Sequence, residues 1–205
     1  VTEVPLWEDE VTAVAVLDEA AAVLDDVEPE EEVPAEPVLE VPAFQVTVYG
    51  SPAPQGSKSA KRNQYTGRIQ LVESSKRVKP WRQAVVDASL DARGSGWQPL
   101  TVALEAEMVF TLTRPKSHFG TGRNSGRVRP SAPAFPSGVP DLSKLARSTE
   151  DALTTAGIYR DDALVVEYRR LLKRYHTDHG RVPDVMEVAG CVIRLWPVET
   201  PRAEE

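Results

Sequence analysis

Residues 139–175, VPDLSKLARSTEDALTTAGIYRDDALVVEYRRLLKRY, read as a helix followed by a strand, with an acid at the entrance of each. Leu145, Thr149, Ala152 and Leu153 recur at three-to-four spacing, which predicts a helix over residues 143–155 with one apolar stripe. Pro140 prevents an earlier helical start, and Gly157 stands just past the periodic segment, where a left-handed cap is expected. Ile158 and Tyr159 lead through Asp161 and Asp162 into a β-branched run, read as a strand over 164–175. Asp141 therefore falls at a helix entrance and Asp162 at a strand entrance. Lys144 and Arg147 are three residues apart, share a helix face and can reach back toward Asp141.

A hard cation such as Mg²⁺ takes oxygen ligands, usually one or two carboxylates with waters and substrate phosphate oxygens. Asp141 and Asp162 are candidate carboxylates for such an ion, and Lys144 and Arg147 are candidates to neutralise charge on a phosphate. A plainer reading stays open. Asp141 is then an exposed acid favoured by the helix dipole, and Arg147 with Asp151 is an i, i+4 surface pair. Asp151 is read that way in either case, because ten residues of helix span about 15 Å, too far to share an ion with Asp141.

The stretch resembles the RusA-type Holliday junction resolvases, Mg²⁺-dependent endonucleases of phages and bacteria. The family pattern is Asp-x-Asp-Asn, then a Lys six residues after the first Asp, Asp-Ala-Leu at ten to twelve, and Gly-aromatic-x-Asp-Asp. Asp141 matches the first acid, Arg147 occupies the lysine position, Asp151-Ala152-Leu153 matches the middle element and Asp161-Asp162 closes it. Ser143 stands where the family has its second acid, a neutral ligand in place of a charged one. Arg147 keeps the positive charge of the lysine but cannot transfer a proton near neutral pH.

The resemblance implies paired, symmetric nicks in a four-way DNA junction, each leaving 5′-phosphate and 3′-hydroxyl ends, made by a homodimer with one site per chain. It implies Mg²⁺, or Mn²⁺ as a substitute, held by Asp141 and Asp162 with help from Asp161 and Ser143. Arg147 and Lys144 would then stabilise the transition state. No small-molecule cofactor is implied. The alternative is a junction-binding protein that no longer cuts, because Ser143 removes a ligand the chemistry needs.

The formal charge of −7 is unevenly placed. Residues 1–44 hold fourteen acids and neither Lys nor Arg, so the other seventeen acids face all 24 basic residues, about +7 over 45–205. That sign favours a polyanionic partner. With 205 residues and 41% hydrophobic content the chain can bury one core. Cys191 is the only cysteine, which excludes an intrachain disulfide and a Cys-based zinc cluster. No apolar run is long enough to span a membrane and the amino terminus has no basic signal region, so a cytosolic protein is the simplest reading, and the resemblance implies a bacterial or phage origin. Residues 1–44, an Ala/Val-rich acidic piece and then a Pro/Glu tract, read as a largely disordered extension. It either competes with DNA for a basic groove or is idle. The first Met is Met108, as expected of an alternative start codon or a fragment.

Residues 45–197 read as a single α/β domain of the α+β kind, with two main helices against a mixed or antiparallel sheet of about five strands. Residues 44–49 alternate as a strand, and GSPAPQGSK at 50–58 is irregular and resembles the family's opening turn. Lys58, Lys61, Arg62 and Arg68 decorate a hairpin ending in a strand over 69–72. A helix starting near Pro80 buries Trp81, Ala84, Val85 and Ala88. Lys76, Arg77 and Lys79 crowd its entrance against the dipole, and read either as backbone phosphate contacts or as a solvated basic turn. Residues 100–112 alternate as a long strand with one buried face. Residues 113–139 carry Arg114, Lys116, Arg123, Arg127 and Arg129 and no acid. They are expected to be mobile until DNA orders them, with Phe119 and Phe135 available to stack. His176 and His179 have a spacing that can hold zinc but sit at an expected hairpin tip with no other strong ligand nearby. A last strand is expected over 185–196, with a frayed tail over 198–205.

Overall fold

A strand covered on one face alternates buried and exposed residues, and a strand covered on both faces does not. Both patterns occur in the computed structural model of the chain. It describes residues 40–56, 58–62, 64–73 and 76–198, with backbone alone for 58–62 and 69–73. The acidic arm up to residue 39 and the tail from 199 lie outside the described residues. In chain order the elements are β1 (Phe44–Tyr49), β2 (Lys58–Arg62), β3 (Ile69–Glu73), α1 (Val78–Arg93), β4 (Leu104–Leu112), α2 (Leu142–Thr155), β5 (Val165–Tyr175) and β6 (Gly190–Pro197).

The main sheet runs β1-β6-β4-β5, antiparallel except for the parallel pair β4–β5, while β2 and β3 form a separate antiparallel hairpin. This is the expected mixed sheet with two helices, but with four strands rather than about five, because the hairpin does not join it. β1 alternates as expected. β4 does not keep to one buried face, since Val109 and Thr111 are buried along with Leu104, Ala106, Met108 and Phe110. It lies inside the sheet, and the connection before β6 crosses its second face, where the Met186 N–H donates to Thr111 Oγ1 at 3.0 Å. That connection also delays the last strand, which begins at Gly190 and not at 185. A Cβ at Gly190 would collide with the Val48 carbonyl and the Met186 side chain.

Both helices cover the other face. α1 starts at Val78, two residues before Pro80, whose missing N–H has no intrahelical partner in a first turn anyway. It buries Val78, Trp81, Val85 and Ser89, and the expected Ala84 and Ala88 lie half-buried at the edge of that face. α2 buries Leu145, Ala146, Ala152 and Leu153. Trp81 Nε1 ties the helices together by donating to Thr149 Oγ1 at 3.2 Å, and that hydroxyl donates on to the Leu145 carbonyl. Gly157 ends α2 with φ +67°, and the Ile158 N–H reaches back to the Leu153 carbonyl at 3.0 Å. This is the cap expected from its position. Arg93 of α1 donates to the Ala156 carbonyl at 2.6 Å and so satisfies part of the same helix end.

The Ser148 hydroxyl is fully buried on α2 with no hydrogen-bond partner among the described residues. Ser148→Ala removes that unmet group and favours helix, so urea unfolding is expected to show a gain of about 1 kcal/mol. Leu153→Ala, which opens a cavity in the same layer, is expected to cost about 2–5 kcal/mol in the same assay.

Candidate active site

Parallel neighbours need a crossover connection, and residues 113–164 provide it between β4 and β5. The chain leaves β4, follows the basic connection, enters α2 at Asp141, runs back along the sheet and turns into β5. The two ends of α2, and the acids beside them, therefore lie at opposite ends of the strands.

At the first end, Asp141 is the N-cap residue of α2, but its side chain makes no capping bond. The carboxylate is exposed and pairs with Lys144 Nζ at 2.7 Å. The hydrogen bond and charge of Lys144 hold the Asp141 carboxyl below its usual range, with a smaller pull from Lys173. Lys173, near the end of β5, donates to the Gly138 carbonyl at 2.8 Å and the Pro140 carbonyl at 2.7 Å, which fastens the segment leading into Asp141. The 50–56 turn arrives at the same place, where the Gln55 N–H donates to the Lys144 carbonyl at 2.9 Å. Ser143 and Arg147 are exposed along the same helix.

At the other end, Asp161 Oδ1 accepts from the Ala163 N–H at 2.9 Å and shapes the short turn Asp162–Leu164. Asp162 acts electrostatically on Glu150, Tyr159 and Tyr168, whereas the charges that act on Asp141 are those of Lys144 and Lys173. Glu150 is half-buried and accepts a hydrogen bond from the Tyr168 hydroxyl, while Tyr159 donates to its backbone carbonyl at 3.1 Å. Burial raises the Glu150 carboxyl above its usual range. The Tyr168 hydrogen bond and the Arg147 charge oppose that rise, and Asp162 and Asp151 add to it. Burial likewise pushes the Tyr159 and Tyr168 hydroxyls upward. The motif does not single out Glu150. Its signal was the polar series 143, 147, 150, a helical stripe that continues the face of the proposed site.

The separation of the two ends follows from strand register. Lys173, which grips Pro140, pairs with Phe110, and Val165, just past Asp162, pairs with Leu104. From Leu104 to Phe110 is about 20 Å of strand at roughly 3.3 Å per residue. One chain thus holds Asp141 and Asp162 apart, and among the described residues no three Asp, Glu, His or Cys side chains converge on a point that could hold a metal. The oxygen donors suit a hard cation, but their placement within one chain does not assemble a site for it.

Other expected partners are reassigned. Asp151 pairs with Arg82 of α1 at 3.4 Å rather than with Arg147, because that side of α2 faces α1. His176 Nδ1 accepts from the Arg114 N–H at 3.2 Å and His179 Nδ1 lies 2.7 Å from the Val185 carbonyl, so the two rings serve different backbone groups. Two of the four cations of β5, Arg169 and Arg170, are paired with acids, while Lys173 and Arg174 donate to backbone carbonyls. Arg170 and Arg194 share Glu107 and Asp184, and Arg169 pairs with Glu105 and Glu40 above the Trp196 ring.

Among the proposed DNA contacts, Lys76 and Arg77 are exposed just before α1 and Lys79 in its first turn, which has no acid. Arg68 is exposed ahead of β3, and Lys58, Lys61 and Arg62 lie on β2 with side chains outside the description. Arg123, Arg127 and Arg129 are exposed on the basic connection. That connection follows a defined path, pinned by Gly120 N–H to the Arg127 carbonyl and Arg129 N–H to the His118 carbonyl, each 2.9 Å. Arg114 differs from its neighbours, being 5% exposed. It donates to Thr177 Oγ1 and to the Pro133 and Ala134 carbonyls and lies 4.0 Å from the Tyr175 ring centre, which makes it a strut.

Carboxyl titrations followed by NMR check the electrostatics. Lys144→Met is expected to move the Asp141 titration to higher pH, and Tyr168→Phe to move that of Glu150 higher still. A carboxyl raised in the folded state adds stability below its unfolded pKa and loses it as pH rises through the folded value. Glu150→Gln is therefore expected to be more stable than the native chain at neutral pH, with the difference closing in acid.

The family model described as Endodeoxyribonuclease RusA matches residues 50–183, a span that includes the 50–56 turn, both helices and both acid-bearing ends of α2. No curated protein matches the chain. The family match covers well over half of the sequence and takes in every element of the candidate site, so the chain belongs to the RusA endodeoxyribonucleases, enzymes that resolve Holliday junctions.

Proposed function

We propose that the protein resolves four-way DNA junctions by paired, symmetric, Mg²⁺-dependent nicks, as a homodimer in which each active site draws on both copies. The separation of Asp141 from Asp162 along β4 and β5 carries this reading. A family of nucleases places these acids at one reaction, yet a single chain keeps them at opposite ends of a helix. A two-fold dimer resolves the conflict by setting Asp141 of one copy against Asp162 of the partner subunit, and the symmetry then creates a second identical site. Two sites match the two strands to be cut.

When bound, the metal ion would polarise the scissile phosphate and lower the pKa of an attacking water. Asp161 has one carboxylate oxygen engaged in its own turn and one left to assist, and Ser143 contributes a neutral hydroxyl next to Asp141. Lys144 pairs with the Asp141 carboxylate in the free protein and holds its pKa below the usual range, and would be free to turn toward a phosphate if that carboxylate held another cation. Arg147 remains charged throughout and offsets negative charge building on the phosphate. Exposed cations before α1 and on the basic connection hold the flanking backbone without reading sequence.

A second reading has one observation in its favour. Ser143 brings no charge to an acid that Lys144 already neutralises, which describes a protein that binds junctions without cutting them. Cleavage of a synthetic four-way junction beside a linear duplex separates the two. The nuclease reading expects Mg²⁺-dependent nicking of the junction alone, abolished by a chelator and reduced on the order of 10²-fold or more in Asp162→Asn. Tight binding without nicking, with activity appearing only in Ser143→Asp, would instead establish the binder.

A further inference from the structure

The hairpin of β2 and β3 takes no part in the main sheet. Both of its legs nevertheless start beside Asp141. Ahead of β2, the Gln55 N–H bonds to the Lys144 carbonyl in the first turn of α2 at 2.9 Å. Beyond β3, Arg77 at the entrance of α1 shares the wall of a cavity of about 510 Å³ with residues 138–140, which lead into the acid. Strand pairing runs from Lys58 and Glu73 at the base to Arg62 and Ile69 at the far end, and carries the turn about 17 Å away from that base. Gln64 to Arg68 are all exposed in the turn, where Gly67 has φ +65° and Tyr65 is 88% exposed. From residue 50 to residue 72 the chain has Lys58, Lys61, Arg62 and Arg68 and no acid. An aromatic ring is thus held out at the tip of a basic arm rooted at the catalytic acid.

From this placement we infer that the hairpin reaches into the open centre of a four-way junction, where Tyr65 stacks on an uncovered base pair and sets the preference for branched over linear DNA. The inference rests on the endonuclease reading above. In a linear duplex every base pair is covered on both sides, so an inserted ring must first part a base step. Around an open branch point four pairs each lack a neighbour on one side, and a flat ring covers such a face without unstacking anything. Tyrosine suits that place because stacking accepts any base, so the ring reads the branch and not the sequence. The cations of the arm meet backbone phosphates, which both kinds of DNA supply, and add affinity without discrimination. Because its legs start beside Asp141, the hairpin also fixes the distance from the branch point to that acid.

The test measures gel-shift affinity for a four-way junction and for a linear duplex of the same sequence in EDTA, where the junction stays open and nothing is cut. 2-Aminopurine in the pairs around the branch point reports stacking on the same samples. The wild type is expected to quench that emission. Tyr65→Ala is expected to lose the quenching and about tenfold in junction affinity, as fits one stacked base, with duplex affinity within about twofold of the wild type. Tyr65→Phe keeps the ring and is expected to keep both. Arg68→Ala is expected to weaken junction and duplex by a similar factor. Emission that is unchanged in Tyr65→Ala, or a variant without a selective loss of junction affinity, overturns the stacking role and leaves the endonuclease reading standing. A wild type that binds the junction no better than the duplex overturns both.

Discussion

The parallel pairing of β4 with β5 is the constraint on which the rest of the structure depends. Two parallel neighbours cannot be joined by a tight turn, so a long crossover must leave one end of the sheet and return at the other. α2 is that crossover, and its length is spent in travelling back along the strands. Asp141 and Asp162, close in sequence on either side of one helix, are consequently far apart in space.

The end that carries Asp141 is built by side chains that do not themselves carry out chemistry. Lys173 holds two carbonyls of the preceding segment, Gln55 pins the first turn of α2 through its backbone, and Arg114 anchors the basic connection from inside. Several cations on β5 and β6 are consumed by Glu105, Glu107 and Asp184. Positive charge is thereby withdrawn from the sheet face and left exposed before α1 and on the 113–139 connection. Among the described residues, exposed cations thus remain on the segments that flank the acid.

Local features of the fold were legible in the sequence. Residues 143–155 have an unambiguous helical stripe, Gly157 marked its end, and the alternation over residues 44–49 marked β1. Strand pairing was not legible, because nothing in the run from 164 to 175 says which neighbour it will join or in which direction. The placement of Asp141 relative to Asp162 follows that pairing, and spacing along the chain does not reveal that one chain holds them at opposite ends of α2. Arg114 was indistinguishable from Arg123, Arg127 and Arg129 for a similar reason: burial is a property of the folded path, and all four sit in the same Pro- and Gly-rich composition. Asp151 looked like a partner for Arg147 by helical arithmetic, but α1 supplies Arg82 from across the interface.

If the active site is shared between copies, inactive chains can repair each other. Asp141→Asn and Asp162→Asn would each disable both sites of their own dimer. In a mixed dimer one site would collect both substitutions and the other would have neither. The decisive measurement is junction nicking by the two variants alone and after subunit exchange. The account predicts that each variant alone is inactive, and that the mixture recovers nicking in one strand without the paired second cut. A mixture that exchanges subunits and stays inactive would contradict it, since that outcome requires both acids to act within a single chain.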